Sequence, residues 1–520
     1  MRLPKEDRPP REGLRFLLRA GGSLTLIVVL AATATATAGL LQIKSEIQAP
    51  PGAPPALKAP SVTEAPPGQP QTILVLGSDR RYSDLKKNNP LLRKSNPARS
   101  DTILLIRMDP RQQATAVLSL PRDLKVLIPG YGINKINAAY SLGGADLTAR
   151  TIKSLFGADF KINHIVDVNF GGFRQVVDAL GCIYADVDRR YYHSNLGLPV
   201  SAHYAEIDIE PGYQALCGQR ALDYVRFRHA DSDIVRAARQ QDFLRAAKDQ
   251  LSTSALIDQR SKLIKILKKN TQTDESLRSV KGSIKLAKLG VFSAHHPVAQ
   301  IKFPAIYTGD AATGEYVEAS AATLQRLRDE FFHASPEVKK NAKSAKKKKA
   351  PKGTSGTARA AKAKLTAART AGENLVARTV ASHRLGFRMY FPLRLTPNGR
   401  YASTVKDGTT VDPTPRVYTI RDRAGHPHKA YRLVVLENIQ EGSYYGIQGT
   451  DWMTPPLLAN PTSSTTVNGR KLLLYKAGSR LRYVAWKRKD AVYWVSNSLT
   501  FSLSNNQMLG IAGSMTHIGS

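Results

Sequence analysis

The sequence predicts an α/β protein: an α-β-α sandwich around a mixed sheet, preceded by one transmembrane helix and followed by a basic linker and a β-rich C-terminal domain. Three observations carry this. Between residues 71 and 250, short apolar runs rich in β-branched residues alternate with segments of helical period, the pattern of a sheet covered by helices. Ahead of them, Ala20 to Ile43 runs without a single charge. After residue 385 the texture changes to short runs of Tyr, Val, Leu and Trp separated by Gly, Pro, Asn and Asp, which is the texture of antiparallel β structure.

The chain has 520 residues, 42% of them apolar, so real cores can form. Its formal net charge is +35, which points to an anionic partner: nucleic acid, anionic lipid or an acidic polymer. The charge is uneven. Residues 336–384 hold 14 Lys and Arg against 2 Glu. No Cys-x-x-Cys spacing exists, which argues against zinc. Cys182 and Cys217 form one disulfide if their domain lies outside the cytoplasm, and are otherwise two buried thiols. The membrane reading favours the disulfide.

Residues 1–19 carry six basic residues against three acids, and the uncharged stretch 20–43 is long enough to span a hydrocarbon core. The basic flank predicts a cytoplasmic N-terminus, a single-pass anchor in the cell membrane, and an extracellular remainder. The alternative is a cleaved signal peptide, since the Ala/Thr run offers small-residue cleavage sites. Residues 44–70, rich in Pro and Ala, read as an extended spacer.

The main domain is expected over 71–335. Thr72–Leu76, Thr102–Arg107 and Ala114–Leu120 read as strands, with a turn at Asp109-Pro110. If the second and third strands form a hairpin and the first runs antiparallel to the second, one rim gathers Asp79, Arg99, Asp101 and Arg122. Two carboxylates and two arginines there suit a hard divalent cation with phosphates on the arginines. Residues 131–144 read as a loop entering a helix capped by Asn137, which continues to Phe156. Ile162–Phe170 and Cys182–Val187 read as strands, with a helix over 173–179 between them. His164 reads as structural. Gly212–Leu216 reads as a turn region.

Tyr224–Gln241 follows, with Arg226 and Arg228 two apart in a presumed strand. Arg236, Arg239 and Gln240 share one face of a helix that runs to about Leu251 and is capped by Asp231 or Ser232. Two guanidinium-lined faces make a pocket for a ligand with several anionic oxygens. Further helices and a strand near 298–303 close the domain. The Lys/Ala-rich segment 336–384 has too little apolar surface to fold alone. The C-terminal domain, 385–520, ends in a short helix near 507–515, and its Trp452, Trp486 and Trp494 read as core packing.

Five stretches in order, ILVLGSDRR, RSDTILLIRMDP, LSLPRDLKVLIPGYGINKINAAYSLGG, HIVDVNFGGFRQVVDALG and LCGQRALDYVRFRHADSDIVRAARQQ, resemble the LytR-CpsA-Psr family of cell-envelope proteins over residues 71–250. The cysteine pair is similar to that of the actinobacterial branch. The resemblance implies a phosphotransferase that moves a glycopolymer phosphate from a polyprenyl-pyrophosphate carrier to peptidoglycan. It implies Arg99, Arg122, Arg226, Arg228, Arg236, Arg239 and Gln240 on the pyrophosphate. Asp79 and Asp101 would hold Mg2+ (or Mn2+), with Asp79, Asp101 and Arg122 catalytic. The partners implied are the lipid-linked glycan, peptidoglycan and membrane lipid. The alternatives are a non-catalytic lipid-pyrophosphate or wall-binding protein, and a polyprenyl-pyrophosphate phosphatase. No helix-turn-helix pattern supports nucleic acid as partner.

Overall fold

The computed structural model of the chain describes residues 54–334, apart from 67, 79–99, 200–202, 204, 228–232, 251–259, 280–281, 283–297, 302, 305 and 309–315, and residues 364–518, apart from 403, 407–408 and 412–414. The expected anchor at 20–43, Asp79, Arg99, Arg228 and the cap at Asp231 or Ser232 lie outside the described residues. Among the described residues no helix is long and apolar enough to cross a membrane.

From Pro54 onward the segment read as an extended spacer lies on the domain. Leu57 N donates to Thr273 O at 2.9 Å and Thr63 N to Ile162 O at 3.0 Å, while Leu57, Ala59 and Val62 pack against the core. Its apolar side chains find a partner surface that composition alone does not reveal.

The three predicted strands form: β1 (Gln71–Ser78), β2 (Ser100–Asp109) and β3 (Ala114–Leu120). A hairpin of β4 (Lys125–Ile128) and β5 (Gly132–Lys135) replaces the expected loop and runs straight into α1 (Ile136–Phe156), kinked at Gly143 and Gly144. Asn137 therefore sits inside the helix and caps nothing. The hairpin forms because Val126 and Ile128 alternate inward into the core, a signal too short to read ahead of the structure.

Next come β6 (His164–Asn169) and α2 (Phe170–Ala179), where the Asn169 side chain accepts from Gly172 N at 2.7 Å as an N-cap. They lead to β7 (Ile183–Val187), β8 (Tyr191–His193), β9 (Ile207–Ile209) and β10 (Gly212–Leu216), then α3 (Gly218–Arg226) and α4 (Asp233–Gln250). The domain closes with α5 (Arg260–Asn270), β11 (Thr271–Thr273), α6 (Glu275–Arg278), β12 (Val298–Ile301), β13 (Ile306–Thr308), β14 (Tyr316–Glu318) and α7 (Ala321–Phe332).

Two expectations are corrected here. Gly212–Leu216 is a strand, paired antiparallel with β7. Tyr224–Arg226 ends helix α3, so Arg226 lies on a helix and not on the expected strand. The YVRF ending favours a strand locally. Burial of Ala221 and Tyr224, one helical turn apart in the same apolar cluster, outweighs that preference.

The main sheet is mixed, as predicted, in the order β11-β6-β1-β2-β3-β12. β1 pairs antiparallel with β2 and parallel with β6. Leu74, Leu76, Ile103, Leu105 and Leu118 point to the face closed by α1 and α7. On the opposite face Ile73 and Met108 are buried, while Val75, Ile106 and Val166 are only partly covered.

β7 is buried on both sides. Ile183, Ala185 and Val187 pack inward with Leu216, Tyr224 and Phe243; Tyr184 packs outward with Tyr213 of β10. Cys182 and Cys217, which flank the paired residues Ile183 and Leu216, are joined as a disulfide.

The C-terminal body begins within the expected linker, with β15 (Thr366–Ala367) and α8 (Arg369–Ser382). Leu375 and Val376 of α8 are buried in the C-terminal core, so this part of 336–384 is folded. Small strands follow: β16 (Tyr390–Pro392), β17 (Arg394–Leu395), β18 (Arg400–Tyr401), β19 (Thr404–Lys406) and β20 (Thr409–Val411). Then come β21 (Arg416–Arg421), β22 (Pro427–Asn438), β23 (Ser443–Thr450), β24 (Ser463–Val467), β25 (Arg470–Ala477), β26 (Arg480–Lys487), β27 (Val492–Ser496), α9 (Asn505–Gly513) and β28 (Met515–His517).

Its sheet runs β18-β22-β23-β27-β26-β25-β24, with β21 also on β22. One face packs on α8 and α9 around Trp486. The other, with Trp452 and Trp494, packs on Tyr184 and Tyr213 of the β7–β10 hairpin. All three tryptophans are buried, in keeping with core packing.

His164 is structural. Its ring lies 3.5 Å from Asp274, which also accepts from Ile165 N at 2.9 Å. Burial works to raise the Asp274 pKa, but hydrogen bonds from His164, Ser276 and Ile165 outweigh it and hold the carboxyl below its ordinary value. Replacing Asp274 by Asn is therefore expected to lower stability at pH 7 by about 1–3 kcal/mol. A carboxyl with a depressed folded-state pKa stabilises above its unfolded value of about 4 and loses that effect as pH falls further. Urea titrations of both proteins should differ at pH 7 and converge toward pH 3.

Candidate functional site

The site is built on the rim where β1 and β6 end and β2 begins. Gly77 pairs with Thr102, Ser78 with Ser100, and Ser78 with Asn169 of β6. Ile103 pairs with Leu120, which brings the end of β3 to the same rim. Of the four expected rim positions, the described backbone brings Asp101 and the approach to Arg122 to this edge. Asp101 is the second residue of β2, and Arg122 follows β3 by two residues. Asp79 and Arg99 continue from Ser78 and Ser100 outside the described residues. Arg122 Nε is 3.2 Å from Asp123, whose carboxylate also meets Lys135 at 3.3 Å. The Arg122 carbonyl accepts from Asn137 N at 3.1 Å and ties the rim to α1.

Beneath the rim lies Asp167 of β6, fully buried. One oxygen accepts from Ser78 Oγ at 2.8 Å and the other from the Tyr140 hydroxyl of α1. A buried carboxylate needs such donors, since burial without them is costly. The sequence reading missed this residue. Its signal was a carboxylate inside the otherwise apolar strand run HIVDVN.

The arginines of α3 and α4 divide into two environments. Arg226 Nε is 3.2 Å from Asp223, and the guanidinium lies 5.5 Å from the Phe170 ring. Burial raises the Asp223 pKa, with Arg226 and Gln219 opposing it. Arg236 and Arg239 do share a face, but it is the inward face of α4: they are 5% and 0% exposed. The Arg239 guanidinium lies 4.7 Å from the Tyr191 ring centre and near Tyr224 and Phe227, and Nη2 donates to Phe227 O at 2.5 Å. The spacing that suggested an open anion-binding face also suits a buried cation held by aromatic faces and a carbonyl. Arg239 thereby braces the chain where α3 ends.

Gln240 makes the connection that joins the two halves of the site. Its amide donates to Thr102 Oγ1 on β2 and to Val225 O on α3, both at 3.1 Å. Glycine at 77 leaves the room for Thr102, because a Cβ there would lie 2.9 Å from the Thr102 Cβ. The rim and helix α4 therefore meet at one place. Among the described residues no group of three His, Cys, Asp or Glu converges as a metal site.

Among the described residues the site is thus a strand-end rim of a mixed α/β sheet, with Arg122 beside it and helix α4 joined to it through Gln240. The profile of the LytR_cpsA_psr family matches residues 42–331, more than half of the chain, and the protein belongs to that family. It is 30% identical over 211 residues to the polyisoprenyl-teichoic acid–peptidoglycan teichoic acid transferase TagT of Bacillus subtilis (strain 168). That match covers 41% of this chain and 62% of the relative. It is 36% identical over 149 residues to the probable cell wall biosynthesis protein LcpB of Corynebacterium glutamicum, covering 28% of this chain and 33% of that one. Among solved structures it is similar to TagT bound to LIIa-WTA, with 26% identity, a TM-score of 0.40, and coverage of 52% of this chain and 92% of the other.

Gln240→Ala is expected to cut the tie between α4 and β2. Unfolding free energy should fall by about 1–2 kcal/mol, read as a shifted urea midpoint with unchanged slope.

Proposed function

We propose that this protein is a phosphotransferase that attaches a glycopolymer to peptidoglycan, using a polyprenyl-pyrophosphate-linked glycan as donor. The single observation that carries the reading is the contact of Gln240 with Thr102, which brings the arginine-bearing helix to the strand-end rim of a family member whose relatives are named polyisoprenyl-teichoic acid–peptidoglycan teichoic acid transferases.

In this reading Arg99, Arg122, Arg226, Arg228 and Arg236 neutralise the pyrophosphate, with Gln240 assisting. Arg239 acts from beneath by holding the chain at Phe227. A peptidoglycan hydroxyl attacks the glycan-bearing phosphorus. The new P–O bond forms as the bond to the second phosphate breaks, and polyprenyl phosphate departs with the bonding electrons. Asp79 or Asp101 takes the hydroxyl proton. Phosphoryl transfer needs mainly positioning and charge neutralisation, so no covalent nucleophile is required. Two carboxylates suit a hard cation by their chemistry, and Asp79 and Asp101 would hold Mg2+ or Mn2+, which would add positive charge at the phosphates. The half-covered apolar face around Val75, Ile106 and Val166 offers a bed for the polyprenyl chain. The uncharged 20–43 run would keep the protein at the outer membrane face, where that lipid resides.

The test is a transfer assay with full-length protein, a lipid-pyrophosphate glycan and peptidoglycan. Wild type should form the phosphodiester, and Arg122→Ala and Asp101→Ala should each lose about 100-fold or more in rate. Binding without turnover by the wild type would instead make it a wall-binding protein. Release of free glycan phosphate without transfer would make it a phosphatase.

A further inference from the structure

Helix α4 packs on two sides. Arg236, Arg239, Gln240 and Phe243 form one stripe, turned toward the rim and the cluster around Tyr224. Asp242, Arg245 and Asp249 form a second stripe on the far side, turned toward the C-terminal sheet. Arg482 of β26 reaches across with Nη2 at 2.9 Å from Asp242 and Nη1 at 3.5 Å from Asp249. Arg245 lies 3.7 Å from Asp242 and 5.8 Å from the Phe501 ring of the C-terminal body. Burial and the neighbouring Arg482 push the Arg245 guanidinium down to about 10.

A second contact lies one layer away. Arg432 of β22 meets Asp186 of β7 at 2.8 Å, with side chains 0% and 3% exposed. Glycine at 446 is what admits this guanidinium, since a Cβ there would lie 2.0 Å from its Cζ.

We propose that Arg482 and Arg432 are positioning residues for the phosphate site: by holding Asp242 and Asp186 they set the rotation of α4 and the seat of β7, and so place Arg236, Arg239 and Gln240. Asp242 is only two residues from Gln240 and three from Arg239. A helix is rigid over one turn, so any rotation that relieves one stripe displaces the other. Buried ion pairs suit this role better than apolar packing does, because they have one good geometry and cost much when a partner is removed. The C-terminal body thereby acts as a fixed wall for the catalytic half. This inference rests on the reading of the rim as a phosphate site.

The experiment uses the full chain in nanodiscs, with Arg482→Met, Arg482→Lys and the milder Asp249→Asn, which leaves the Asp242 contact in place. Two quantities are read well below the melting temperature: amide exchange along α4, and the Kd for farnesyl pyrophosphate. Arg482→Met should speed exchange at 237–247 and weaken binding, each about tenfold, with exchange in β1 and β2 unchanged. Arg482→Lys should largely restore both, and Asp249→Asn should shift both by about two- to threefold. Wild-type exchange in α4 and wild-type Kd in Arg482→Met would overturn the proposal, as would lowered thermal stability alone. If Arg482→Met does not fold, wild-type exchange and wild-type Kd in Asp249→Asn would overturn it. Failure of the wild type to bind farnesyl pyrophosphate would overturn the site reading, whereas α4 exchange would still judge the positioning contact.

Discussion

The architecture depends on a hairpin with no solvent face. β7 and β10 pair over five residues, and their alternating side chains serve two cores at once. Ile183, Ala185 and Val187 complete the cluster that seats α3 and α4. Tyr184 and Tyr213 enter the second face of the C-terminal sheet, with Tyr184 Oη donating to Arg421 O at 2.7 Å and Tyr418 Oη to Tyr213 O at 3.1 Å. The disulfide closes the end of this hairpin next to the Ile183–Leu216 pair. Removing the hairpin would expose apolar surface on both bodies, so the halves of the chain form one unit.

That unit is strongly basic overall, yet its interior handles charge by pairing. Asp186 with Arg432 and Asp242 with Arg482 are carboxylate–guanidinium contacts between the two halves. Asp167 accepts from the hydroxyls of Ser78 and Tyr140. Such groups contribute little net stability compared with apolar packing, but they allow few alternative arrangements. The rim stands above Asp167 and beside α4, so the groups that confine its geometry are the ones the fold cannot easily rearrange.

The function proposed for the rim gives this rigidity a purpose. Charge neutralisation of a pyrophosphate works through guanidinium groups already in place, since reorienting them during reaction would cost what the electrostatics contribute. Arg239 shows the division of labour. It is wholly buried among Tyr191, Tyr224 and Phe227, and its guanidinium holds the Phe227 carbonyl where α3 ends.

By itself the sequence determined the three central strands β1–β3, the strands β6 and β7, and the helices α1, α2 and α4. Thr72–Leu76, Thr102–Arg107 and Ala114–Leu120 are apolar runs bounded by turn residues, and a hairpin through Asp109-Pro110 leaves few places for Asp101 and Arg122 to go. The cysteine pair and the family motifs were equally local signals. What tertiary structure decided were the matters of partnership. Tyr224–Arg226 became helix because α4 and β7 offered Tyr224 a helical seat. Gly212–Leu216 became a strand because β7 offered an edge. Arg239 turned inward because three aromatic rings and a carbonyl awaited it. Leu375 and Val376 made part of a lysine-rich stretch fold because the C-terminal core had room for them. Local periodicity states which surface a segment can bury, while the surface it meets is set by residues tens to hundreds of positions away.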